Sequence, residues 1–229
     1  MALLALAACG EEPVPDTETE IAATDPLLAR ALADPLMSDP DLAHRNEASA
    51  AVTVRFDHAL PPLVATRELA DRARDAARVE LLAGGSIPDL PDPSEDDPPA
   101  RLAAIETAAD MVDAVGGPRA CIGQLRSGLR WATDLPDPAR IMPHAMVQQA
   151  AGVENAGCSL RVVRYLIPVG MEDVLQYHYA LAGRAQLEPA YYRDAEGAIV
   201  GDSGTEALVV QARPGPAGLS AVDLIYWTK

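Results

Sequence analysis

The stretch Cys158–Ile167 carries apolar side chains on both sides of an extended chain: Leu160 and Val162 on one, Val163, Tyr165 and Ile167 on the other. Successive side chains of a strand point to opposite faces, so a strand of this kind sits inside a sheet and away from its edge. The neighbouring sequence supplies partners. Met146–Val153 reads as the preceding strand, with a turn at Asn155-Ala156-Gly157. Pro168-Val169-Gly170 leads into a helix over 171–185, with Glu172 and Asp173 in its first turn and Val174, His178, Leu181 and Ala185 as its inner stripe. Tyr191–Val200 holds a turn at Asp194–Gly197. Ala207–Arg213 and Ala221–Thr228 are the closing strands, joined by a proline-glycine loop at 214–218. This β-β-α-β-β order predicts an α+β domain over 100–229, an antiparallel sheet packed on one main helix.

Upstream the pattern is mostly helical. Thr66–Ala83 reads as a helix with Leu69, Ala73, Ala76 and Ala83 on one side and Glu68/Arg72 at i, i+4 spacing; Gly84-Gly85 ends it. Thr24-Asp25-Pro26 opens a shorter helix carrying Leu27, Leu28 and Leu32, and Ala51–Phe56 reads as a short strand or an extended piece. Residues 86–99 contain five prolines and five acids and read as a linker, which makes 25–85 a helical appendage. Beyond it a helix is expected over 100–115, with Leu102, Ile105, Ala109 and Val112 on one face and a stop at Gly116-Gly117-Pro118. Cys121–Thr133 reads as extended.

Of the 229 residues, 43 are alanine, one is phenylalanine and two are tryptophan, so the core is built from small side chains with few aromatic anchors. The net charge is −16, and residues 10–99 carry 20 acids against 7 arginines, −13 of that total. Nucleic acid is held by concentrated positive charge, so this composition argues against a phosphate-binding surface.

The N-terminus carries the clearest address. Leu6-Ala7-Ala8-Cys9 resembles the lipobox of bacterial lipoproteins, an apolar residue and two small ones ahead of a cysteine. The resemblance implies cleavage before Cys9 and a diacylglycerol on its sulfur. Residues 1–9 are then the end of a lipoprotein signal. Residues 10–24 follow, with five acids, two prolines and no base up to Thr24, as an acidic tether. Only eight residues precede Cys9 and none is basic, shorter than a secretory signal requires, so the true start is expected upstream of Met1. No other run approaches 18 consecutive apolar residues.

The remaining cysteines, Cys121 and Cys158, form an even pair. In an oxidising compartment a disulfide is the default, against the alternative of two buried reduced thiols. Trp131-Ala132-Thr133-Asp134-Leu135-Pro136, Ala150-Ala151-Gly152, Gly157-Cys158-Ser159-Leu160-Arg161-Val162-Val163 and Val222-Asp223-Leu224-Ile225 resemble segments of an uncharacterised lipoprotein family of alphaproteobacterial type, over about residues 121–226. That family's cysteine pair falls on Cys121 and Cys158. The resemblance implies the disulfide and brings no reaction with it.

Motifs for chemistry are sparse. Gly201-Asp202-Ser203-Gly204 is similar to the nucleophile segment of trypsin-like proteases, but Thr205-Glu206 replaces the expected glycine and proline. None of His44, His58, His144 or His178 has that family's small-small-His-Cys context, and the segment reads as a polar turn. Glu95-Asp96-Asp97 lacks the glycine and spacing of a calcium loop and precedes two prolines. His178, between Tyr177 and Tyr179, reads as a half-buried packing residue. No P-loop, GxGxxG or HExxH occurs. The expectation is a lipid-anchored envelope protein facing the periplasm, at the outer membrane before the inner, acting as a non-catalytic binding or maintenance module. It has no catalytic residue, cofactor or metal to name, and its partners are the membrane and an unknown protein or small molecule. The alternatives are an envelope hydrolase with a scattered site, or a cytosolic protein with a spurious lipobox.

Overall fold

The computed structural model describes residues 64–193 and 196–229. Within them the chain runs α1 (Arg67–Ala83), α2 (Ala108–Ala114), α3 (Arg119–Ile122), β1 (Arg126–Ser127), β2 (Met146–Asn155), β3 (Cys158–Ile167), α4 (Met171–Arg184), β4 (Ala190–Arg193), β5 (Gly197–Asp202), β6 (Glu206–Pro214) and β7 (Ser220–Thr228). Short 3-10 turns at Leu129–Ala132 and Asp137–Ala139 lie between β1 and β2. The strands form one seven-stranded sheet in the order β1-β2-β3-β7-β6-β5-β4. Every pairing is antiparallel. The α+β class is as expected, and β3 lies inside the sheet between β2 and β7. The strand count differs: the region around Tyr191–Val200, expected to hold a turn, supplies two paired strands, β4 at the sheet's edge and β5 beside it, so four strands follow α4.

The expected single-helix packing is also too simple, because both faces of the sheet are covered. On one face Val163, Tyr165, Ile167, Leu208, Val210, Val222 and Leu224 meet Val174, Leu175, Tyr177 and Leu181 of α4, with Ala73, Ala77 and Leu81 of α1 in the same core. On the other, Leu160, Val162, Val209, Ile225 and Trp227 lie under Leu102, Met111 and Val112. The period-2 alternation of β3 and β7 serves two cores at once.

The second face explains why the helix expected from residue 100 starts only at Ala108. The side-chain amide of Gln211 donates to the Ala100 carbonyl at 2.7 Å and accepts from the Leu102 amide at 2.9 Å, holding those residues extended. The Arg164 guanidinium donates to the carbonyls of Leu102 and Ile105 at 3.2 and 2.9 Å. Backbone groups satisfied this way are unavailable to a helix. Thr107 then caps α2, its hydroxyl accepting from the Asp110 amide at 3.1 Å. Cys121–Thr133, expected as extended, is a helical turn, two residues of edge strand and a 3-10 turn.

Residues 86–99 are a strap and do not separate two bodies. The Arg184 guanidinium donates to the Leu81 and Ser86 carbonyls at 2.7 and 3.1 Å, Gln176 donates to the Pro88 carbonyl at 3.0 Å, and the Ser94 amide donates to Tyr191 of the edge strand β4 at 2.7 Å. The described residues belong to one compact unit. The residue classes that suggested a linker, prolines and acids, fit a strap equally well, since both suit exposed irregular chain. Among the described residues no helix is long and apolar enough to cross a membrane.

Candidate functional site

Facing stripes of α1 and α4 build the most distinctive hollow of the described residues. α1 starts where Thr66 caps it, its hydroxyl accepting from the Leu69 amide at 3.3 Å. Its buried side is Ala73, Ala77 and Leu81, shifted from the expected Leu69/Ala73/Ala76/Ala83 stripe. Two of those three residues are alanines, which cannot fill the space in front of α4. A cavity of about 370 Å³ remains, within the range of small-molecule sites. Ala77, Leu81, Ile87, Met142 and Tyr177 line it, and Arg74, Arg78, Asp89, Asp173 and Gln176 carry its polar groups. Arg74 is held in place: its guanidinium donates to Asp173 at 2.9 Å and to Asp71 at 3.2 Å, and the Asp173 bond raises its pKa. Two other hollows, each of about 460 Å³, open beside the Gly116–Pro118 turn and beside Arg184.

Beside the cavity polar groups run from the surface into the core. The Tyr177 hydroxyl donates to Glu80 of α1 at 3.0 Å, and Arg140 pairs with the same carboxylate at 3.1 Å. Burial, then the adjacent Glu80 charge, pushes the Tyr177 phenol far above its ordinary range. One residue on, His178 is fully buried, deeper than the half-buried position expected from sequence. Its Nε2 lies 2.7 Å from the Tyr165 hydroxyl and its Nδ1 has no partner among the described residues. Desolvation lowers the His178 pKa to about 3, so the ring is neutral near pH 7.

Cys9, with the lipobox and tether, lies outside the described residues, as do His44 and His58. Cys121 and Cys158 are bonded, with S–S 2.08 Å and Cα–Cα 5.7 Å. The bond ties α3 to the start of β3 on the face opposite α4. Ser203 is spent on its own turn, its hydroxyl contacting Thr205 at 3.2 Å and accepting from the Glu206 amide at 3.1 Å. Asp96 accepts from the Ser94 hydroxyl at 3.2 Å, and among the described residues no group of three or more His, Cys, Asp or Glu converges as metal ligands would.

The cavity residues Arg74, Arg78, Asp89, Met142 and Gln176 carry no sequence motif. The one available signal is the alanine spacing of α1, because a helix that presents alanine to a partner leaves room between them. Three of the segments carrying the family resemblance meet around Trp131, whose indole covers Gly152 and lies 4.8 Å from the Arg161 guanidinium. Arg161 is itself buried, bonded to the carbonyls of Asp134 and Val153 at 3.1 and 3.0 Å, so this cluster is structural. No family model, no curated protein and no solved structure matches the chain.

Proposed function

We propose that this chain is a lipid-anchored protein of the bacterial envelope, facing the periplasm, whose α+β body is a binding module. The observation that carries the binding role is the cavity between α1 and α4, an apolar floor with charged groups at its mouth. The address rests on Leu6-Ala7-Ala8-Cys9 and the acidic stretch behind it. The Cys121–Cys158 bond supports it, since disulfides persist in oxidising compartments. A diacylglycerol joined to the cysteine by a thioether attaches a protein stably, while an acidic tether has no attraction for anionic lipid. Expressed from its own locus, the protein is expected in the membrane fraction, and Cys9→Ala is expected to move it to the soluble fraction. Unchanged fractionation of the variant refutes the anchor.

A further inference from the structure

We infer that the α1–α4 cavity binds a small aliphatic zwitterion, of the class of a short peptide with free termini. The inference rests on the binding-module reading and adds the ligand's chemistry. Ala77, Leu81, Ile87 and Met142 provide an apolar floor for an aliphatic side chain. At the mouth, the four charged groups divide into two kinds. Arg74 and Asp173 neutralise each other at 2.9 Å and close one part of the rim. Arg78 and Asp89 line the same cavity, are exposed, and make no hydrogen bond or ion pair among the described residues. A cation and an anion flanking one hollow without pairing complement a ligand that carries both charges: its carboxylate meets Arg78 and its ammonium meets Asp89. A volume of about 370 Å³ is at the small end of ligand sites, which suits a dipeptide better than a lipid chain.

The test uses four probes on the full chain, read by calorimetry: L-leucyl-L-leucine, N-acetyl-leucine with only the negative charge, leucinamide with only the positive, and neutral N-acetyl-leucinamide. The dipeptide is expected to bind with a Kd on the order of 0.1 to 1 mM. Each missing charge is expected to weaken binding about three- to fivefold, the scale of an exposed ion pair. Arg78→Gln is expected to remove the advantage of the carboxylate and leave leucinamide unaffected. Asp89→Asn is expected to do the mirror image. Both residues are exposed, so neither variant threatens the fold. Ala77→Leu, which fills the floor, is expected to abolish binding of all four. If the neutral probe binds as tightly as the dipeptide, the zwitterion inference is overturned and the binding module stands. If no probe binds, the zwitterion inference is overturned; if the probes bind and Ala77→Leu leaves their binding unchanged, the cavity is not the site they occupy, and the inference and the cavity's binding role fail together.

Discussion

The hydroxyl of Tyr165 on β3 lies 2.7 Å from Nε2 of His178 on α4, and both side chains are fully buried. Burial holds the imidazole neutral with a pKa of about 3, whereas in the unfolded chain it returns to about 6.5. A depressed folded-state pKa means that the unfolded state takes up the proton first. The contribution to stability is therefore complete above about pH 6.5 and is lost progressively as pH falls toward about 3. Between pH 7 and pH 5 the loss is about 2 kcal/mol. His178→Gln keeps a hydrogen-bonding group for Tyr165 and does not titrate. Urea denaturation at both pH values should show a pH-dependent loss in the wild type larger than that of the variant by about that amount. Equal losses would mean that His178 is protonated in the folded protein.

A second expectation comes from Gly152. A Cβ there would come within 2.8 Å of the Trp131 indole and 2.9 Å of the Leu160 carbonyl oxygen, and one of those neighbours is backbone. The strand cannot absorb the clash by a rotamer change alone. Gly152→Ala is expected to cost about 1 to 3 kcal/mol, the usual scale of overpacking, and to change the near-ultraviolet circular dichroism of Trp131. A variant with wild-type stability and an unchanged spectrum would show that the indole does not rest on this glycine in solution.

The apolar pattern located α1 and α4 by a helical stripe, and β2, β3, β6 and β7 by apolar runs between turn residues, continuous where a strand is covered on both faces. It failed where tertiary hydrogen bonds decide the backbone. The 100–107 segment has helical apolar spacing, yet Gln211 and Arg164, more than fifty residues away, claim its carbonyls and amide. Polar residues in strands gave no local hint of that role. The linker reading failed for a related reason, since Arg184 and Gln176 reach out from α4 to the strap. His178 was placed on the correct helix but too near the surface, because its partner Tyr165 is set by the packing of α4 on β3. The cavity was illegible as a site: it arises from what the alanines of α1 leave unfilled, and an absence has no motif.

The disulfide offers a third test. Cys121 and Cys158 are 37 residues apart, and the chain-entropy estimate for a loop of that size is roughly 3 to 4 kcal/mol. The core it supports on that face holds Leu102, Met111, Val112 and Trp227, with no phenylalanine. Non-reducing peptide mapping should recover the Cys121–Cys158 pair, and Cys121→Ala/Cys158→Ala should lower the melting temperature by many degrees for a unit of this size. A melting temperature unaffected by reduction would assign the bond no role in stability.

The last prediction concerns the charges under the 100–107 segment. Asp223 is fully buried on β7 and lies between Arg164 on β3 and Arg213 on β6, bonded to both at 2.5 Å. Arg164 also holds the carbonyls of Leu102 and Ile105, so the triad couples the sheet to the strap end. Each arginine is largely buried, and removing the carboxylate leaves two cations together in a region of low dielectric. Breaking such a set costs more than its absence would, because the desolvation of the remaining charges is no longer offset. Asp223→Asn is expected to destabilise the protein by about 3 to 5 kcal/mol. Arg213→Met in the Asp223→Asn background should recover part of that loss by removing one unpaired cation, a non-additive coupling that a double-mutant cycle reads directly. Additive effects of the two substitutions would show that Arg213 and Asp223 do not interact in solution.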